Sequence, residues 1–258
     1  MSRYAALIYG LACYALFGVV SIWALAFLGN FLPADSAFGS SIDSPARGWW
    51  PAALAVNALL LTMFAVQHSV MARPWFKRRW TKLIPEPVER STYVLFSCIA
   101  LGLVVWLWQP IGGIVWQVNS PALRAAIYAL YFAGWLTIVA SSFFINHFDL
   151  FGLRQVWLYY QGLPYTHLPF ATPGPYRFIR HPLYVGWLLT FWAAPTMTYS
   201  HLFFALGTTA YIFIAVIFEE RDLIAHFGER YAEYRRSTPM LVPALRTNSS
   251  RTEKAVTE

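Results

Sequence analysis

Gly174-Pro-Tyr-Arg-Phe-Ile-Arg-His-Pro-Leu-Tyr-Val-Gly186 packs two arginines, a histidine, two prolines and two tyrosines into the mouth of an apolar block that runs from Leu183 to Phe218. The block is broken at Ala194-Pro-Thr196, so it reads as a helical hairpin with a short first arm and a long second arm. Proline is well tolerated at the first helical position, which makes Pro182 the start of the first arm and puts His181 at its N-cap. At the far end of the second arm stands Phe218-Glu-Glu-Arg-Asp-Leu223. At 1.5 Å per residue the long arm overshoots the short one, and the acidic pair Glu219-Glu220 comes level with Arg180 and His181.

Outward from that hairpin, the chain is too greasy for a soluble domain: of 258 residues, 58% are hydrophobic and 12% charged, against about 25% charged in ordinary globular proteins. Tyr4–Leu32, Pro51–Val70, Ser91–Trp108 and Ala122–Phe144 are apolar runs near or above the about 20 residues that a helix needs to cross a bilayer. Ala24-Leu-Ala26 mimics a signal-peptide cleavage site, but the first run is long for such a segment and reads as a retained span. The expectation is an all-α, polytopic transmembrane helical bundle with four spanning helices plus a C-terminal hairpin. Residues 1–243 then form a single domain, 219–236 a cytoplasmic helix with Leu223, Phe227, Tyr231 and Tyr234 on one face, and 244–258 a polar, disordered tail.

Charge sets the orientation. With Arg3 cytoplasmic, alternation puts Arg73 to Arg90, Arg154, Arg177, Arg180 and the basic residues after Arg221 on the cytoplasmic side, leaving Arg47 and Arg124 opposite, as the positive-inside rule requires. The net charge of +7 therefore reads as contact with membrane lipids; no basic patch lies outside these flanks, and a nucleic-acid partner is excluded. Cys13 and Cys98 lie within apolar runs as small hydrophobes, and no Cys/His cluster has metal spacing, so no metal is expected. Nothing in the chain calls for an obligate protein partner.

Arg177 and Arg180 sit at the positive end of the hairpin's first helix, an unfavourable place for cations unless an anion shares it. A ligand carboxylate held by arginine and helix N–H groups resolves the conflict, with His181 and Tyr184 beside it. Glu219 and Glu220 suit an ammonium group or ribose hydroxyls. The plainer alternatives are headgroup contact for the arginines and a salt bridge for whichever glutamate lies outside the site. A ligand with carboxylate, ammonium and ribose fits S-adenosylmethionine, although other amino-acid or nucleotide ligands offer similar groups. Upstream, span two ends in Gln67-His-Ser69 and span four in Asn146-His-Phe-Asp149, on the same face. Each histidine is either a functional base or an interhelical hydrogen-bonding group.

Gly174-Pro-Tyr-Arg-x-x-Arg-His-Pro-x-Tyr-x-Gly186 followed by Glu219-Glu220-x-x-Leu223-x-x-x-Phe227-Gly228-x-x-Tyr231-x-x-Tyr234 closely resembles the isoprenylcysteine carboxyl methyltransferase superfamily of membrane enzymes. Gln67-His-Ser-Val-Met-Ala-Arg-Pro74 and Ile145-Asn-His-Phe-Asp-Leu-Phe-Gly-Leu-Arg-Gln-Val-Trp157 resemble its bacterial methanethiol S-methyltransferase branch, near the NnrU-like membrane proteins. The resemblance implies a cytosol-facing S-adenosyl-L-methionine pocket built from Tyr176, Arg180, His181, Tyr184, Gly186, Glu219 and Glu220. It further implies methyl transfer to a small volatile thiol, methanethiol, giving dimethyl sulfide, in the bacterial inner membrane with both termini cytoplasmic. Such a reaction needs the acceptor as thiolate. The expected base is His147, oriented or charged by Asp149, with His68 or Arg154 assisting, since an imidazole titrates near neutrality. Competing readings are a methyltransferase for an isoprenylated cysteine carboxylate or a lipid amine, and a non-catalytic NnrU-like binding or transport protein.

Overall fold

The computed structural model describes residues 1–33 and 36–243; the polar tail expected over 244–258 lies outside the described residues. The helices run α1 (Arg3–Leu28), α2 (Trp50–Ala72), α3 (Pro74–Trp80), α4 (Glu86–Leu107), α5 (Pro121–Phe144), α6 (His147–Leu150), α7 (Leu153–Gln161), α8 (Pro182–Trp192), α9 (Tyr199–Phe227) and α10 (Glu229–Ser237). Among the described residues five of them, α1, α2, α4, α5 and α9, are long and apolar enough to cross a membrane. Their starts follow local chemistry. Ser2, Ser120 and Thr198 accept from Ala5 N, Leu123 N and His201 N at the openings of α1, α5 and α9, and prolines open α2, α4, α5 and α8, where a missing N–H costs nothing.

The hairpin has the expected asymmetry: α8 has 11 residues and α9 has 29. A helix boundary differs from expectation. The helix expected to begin at 219 is the continuation of α9, because Glu, Arg, Leu and Ala all favour helix and nothing interrupts the backbone before Gly228, which takes φ +62. Hydrophobicity stops at Phe218 while the helix does not. The segment between α4 and α5 contains β1 (Ile114–Gln117), which pairs antiparallel with β2 (Thr196–Thr198) in the hairpin's turn.

The bundle has two polar ends. At one, Arg73 Nη1 meets Asp222 Oδ2 at 2.8 Å and Arg90 Nε donates to Leu150 O at 2.8 Å, joining α2 to α9 and α4 to α6. At the other lie the β1–β2 ladder and a buried cluster around Asp43. Its carboxylate accepts from Asn30 Nδ2 (2.6 Å), Thr198 N (3.0 Å) and Thr198 Oγ1 (2.7 Å), and meets His201 Nδ1 at 2.8 Å. His201 Nε2 reaches Phe191 O at 3.0 Å. Between the ends, Phe27, Val104, Val105, Trp108, Tyr131 and Phe204 centre the apolar core. Helices α5 and α8 approach closely: a Cβ on Gly186 would lie 2.8 Å from Gly134 O and 2.9 Å from Ile138 N.

Candidate functional site

Pro182 begins α8 as expected, so Arg180 and His181 hang below its first turn and face the last part of α9. Glu220 sits at the centre of what they build. Its Oε1 accepts from Arg180 Nε at 2.7 Å and lies 3.0 Å from His181 Nε2, and its Oε2 lies 3.0 Å from Arg235 Nε of α10. Its side chain is 6% exposed. Glu219, one residue and about 100° around the helix, has a different environment. Its Oε2 accepts from Tyr184 OH at 2.7 Å and lies 3.9 Å from His181 Nδ1, and its side chain is 42% exposed. The adjacent glutamates are therefore divided, with Glu220 locked between Arg180 and Arg235 and Glu219 half-exposed.

Arg180 departs from the expected ligand-carboxylate role. Beyond Glu220, its Nη1 donates to Thr238 O and, at 3.1 Å, to Arg235 O, while its backbone N–H donates to Pro239 O at 2.9 Å and that of His181 to Met240 O at 3.1 Å. The anion expected at this helix start is supplied by the protein: a carboxylate and a row of carbonyls from the segment after α10. Tyr176 borders the same region; its OH donates to Ser141 O at 3.4 Å and its carbonyl accepts from Tyr234 OH at 2.5 Å. Burial, and then the charge of Glu219, raises its phenol above the ordinary tyrosine range. Gly186, expected with the cofactor residues, faces α5 instead, because the contact with Gly134 leaves no room for a side chain.

The upstream residues fall into two groups. His147 Nε2 lies 2.7 Å from Tyr14 OH and Nδ1 2.8 Å from Ser142 Oγ, with Phe143 stacked on the ring at 4.2 Å and Phe148 and Phe151 against it. Burial holds this imidazole below its ordinary value. Asp149 does not orient it, contrary to expectation. That carboxylate accepts instead from Arg154 Nη1 at 2.9 Å and Tyr165 OH at 3.2 Å, because Asn146 and the turn of α6 point it toward α7. Arg154 also donates to Thr166 O at 2.8 Å and Thr166 Oγ1 at 2.9 Å, so it fastens the segment after α7.

His68 lies elsewhere, between α2 and α4, with Tyr93 OH 3.0 Å from Nε2 and 3.1 Å from Nδ1, and Ser97 Oγ 3.2 Å from Nδ1. Its neighbour Ser69 pairs with Tyr211 OH at 3.0 Å. Sequence reasoning singled out none of Tyr14, Tyr93 or Arg235. Each is one aromatic or basic residue among many, and only the helix packing selects it.

The bundle thus combines five membrane-length helices among the described residues with a split glutamate pair at one of its two polar ends. Residues 130–230 match the family described as phospholipid methyltransferase. The chain is 50% identical over 244 residues to a methanethiol S-methyltransferase of Crocosphaera subtropica, covering 94% of this chain and 93% of that one, and 47% identical over 246 residues to that of Mycobacterium tuberculosis, covering 94% and 98%. It is also 32% identical over 181 residues to nurim of Rattus norvegicus, covering 67% and 68%. No solved structure matches it. The chain belongs to the methanethiol S-methyltransferase family.

Proposed function

We propose that this chain methylates methanethiol with S-adenosylmethionine, releasing dimethyl sulfide, in the bacterial inner membrane with its termini and its donor site on the cytosolic face. The observation that carries the reading is the division of the glutamate pair, which leaves Glu219 with Tyr184 as a half-exposed polar edge beside His181, joined to membership of a family whose relatives bear that activity in their names. The residues fit the donor: a carboxylate and a phenol suit an ammonium group or ribose hydroxyls, and Tyr176 adds an aromatic face. When bound, the donor supplies an electrophilic methyl on a good leaving group. The chain's own part is to bind and align it. Glu219, Tyr184 and Tyr176 hold it; Glu220, clamped by Arg180 and Arg235, fixes the end of α9 against α8. Phe170, against Phe227, Tyr231 and Tyr234, covers this end with aromatic surface and limits water.

The test uses the purified full chain in detergent, supplied with S-adenosylmethionine and methanethiol, with headspace detection of dimethyl sulfide. Phosphatidylethanolamine and an isoprenylated cysteine carboxylate serve as rival acceptors. Production of dimethyl sulfide is the expected result. Methylation of a rival acceptor without it, or no calorimetric binding of S-adenosylmethionine, refutes the proposal.

A further inference from the structure

Building on the methyltransferase reading above, we infer that the acceptor thiol is held and deprotonated inside the bundle, in a chamber bordered by His68, Tyr93, Ser97 and Tyr211, with His68 as the base. A chain of polar groups leads there from the donor edge. Tyr184, bonded to Glu219, lies within electrostatic reach of Tyr211 and Tyr93. Tyr211 is held by Ser69, and Tyr93 reaches His68. These side chains come from α2, α4, α8 and α9.

Two further features favour His68 over His147, and a third bears on the thiolate. Each ring meets a phenol and a hydroxyl, but the contacts of His68 are 3.0–3.2 Å long, whereas both nitrogens of His147 are held at 2.7 and 2.8 Å inside a cage of Phe143, Phe148 and Phe151. One residue before His68, the buried Oε1 of Gln67 has no hydrogen-bond partner, and an orphaned acceptor of this kind marks a place where a bound donor fits. The charges nearest His68 are cationic, Arg73 on its own helix and Arg90 on α4. Arg73 is paired with Asp222, and Arg90 lies 5.0 Å over the Tyr93 ring. The other titratable groups nearby are Tyr93, Tyr184 and Tyr211, with the Glu219 carboxylate acting on the last two. A thiolate formed here gains from that positive potential, while the same cations oppose charging of the imidazole, so they favour the thiolate and not the base.

In the step, the S–H proton passes to the unprotonated ring nitrogen of His68 as the sulfur pair bonds the methyl carbon. The carbon–sulfonium bond breaks with its pair remaining on the departing sulfur. Dimethyl sulfide and S-adenosylhomocysteine leave, and the imidazolium returns its proton to water. Tyr93 and Ser97 position the ring. Phe64, stacked on His68 at 5.3 Å and set edge-on to Tyr211 at 6.4 Å, limits the length of thiol admitted.

The experiment compares the unaltered full chain with His68→Gln, His147→Gln and Phe64→Ala. S-adenosylmethionine binding is measured by calorimetry, methanethiol is titrated into protein saturated with S-adenosylhomocysteine, and dimethyl sulfide formation is followed across pH. His68→Gln is expected to bind S-adenosylmethionine within about threefold of the parent while kcat/KM falls about 100-fold near neutrality. Its rate then climbs about tenfold per pH unit as solvent supplies the thiolate, and Phe64→Ala shifts preference toward propanethiol. An unchanged profile in His68→Gln with donor binding intact overturns the assignment and leaves the methyltransferase reading standing, as does the same profile change in His147→Gln alone. Failure of the parent to bind S-adenosylmethionine removes both.

Discussion

Glu219 and Glu220 are chemically identical neighbours, yet replacing each by glutamine must have opposite consequences. Glu220 accepts from Arg180 and His181 and forms an ion pair with Arg235, with a side chain 6% exposed, and Arg180 is 11% exposed. Breaking a buried pair by removing one partner costs about 3–5 kcal/mol. Glutamine keeps one oxygen for Arg180, and Arg235 is 51% exposed and regains water, which lowers the expected loss to about 2–3 kcal/mol. At about 2–4 °C per kcal/mol for a chain of this size, Glu220→Gln should melt about 4–12 °C below the parent. Glu219 is 42% exposed and accepts from Tyr184, so Glu219→Gln should shift melting by less than about 3 °C while weakening S-adenosylmethionine binding. The assay is thermal unfolding in one detergent at one scan rate, paired with calorimetry. A double-mutant cycle with Arg180→Met should show coupling above about 1 kcal/mol with Glu220→Gln and none with Glu219→Gln. Equal destabilisation by the two glutamine variants, or unaltered melting in Glu220→Gln, refutes the division.

At the opposite end, burial works to raise the Asp43 carboxyl, but the bonds from His201, Asn30 and Thr198 prevail and hold it below its ordinary 3.8. A depressed carboxylate contributes stability that is complete above the unfolded value and is lost as pH falls through the folded one. The parent should therefore show an acid-side loss of melting temperature below pH 3.8 that Asp43→Asn lacks; superimposable acid limbs count against the cluster. Gly186→Ala forces a Cβ to 2.8 Å from Gly134 O, so it should destabilise by about 1–3 kcal/mol through overpacking. Lost donor binding with unchanged melting would instead return Gly186 to the pocket. Arg154→Leu releases Thr166 and Asp149, and chymotryptic cleavage near Tyr165 should quicken about tenfold as the segment opens more often; an unchanged cleavage rate contradicts the fastening role.

Most of the helical frame was legible because lipid imposes long apolar runs, and the runs ending at Val70, Trp108 and Phe144 fall within two residues of the ends of α2, α4 and α5. Ends governed by backbone alone were not: α4 begins at Glu86, five residues before its apolar part, and α9 continues past Phe218 to Phe227. The meeting of Arg180 and His181 with the acidic pair followed from arm lengths. The partner of Asp149 did not, since the sequence places His147 and Arg154 on either side of it and the turn at Asn146, with φ 87, decides between them. The pairing of Asp43 with His201 spans 158 residues, beyond the reach of any local pattern. The strand at Ile114 is four residues long and needs its partner in the hairpin turn to exist at all.

That far ladder has a consequence for the chemistry at the near end. Pairing Ile114–Gln117 with Thr196–Thr198, and tying Thr198 to Asp43, anchors the first residue of α9. Measured from this anchor, α9 is a gauge: the angular phase at which Glu219 and Glu220 emerge is set by the number of residues between Tyr199 and them. One residue inserted in the middle of α9 advances its lower end by about 1.5 Å and 100°, enough to exchange the clamped glutamate for the open one. Variation in helix length should consequently be forbidden in α9 between Tyr199 and Glu219.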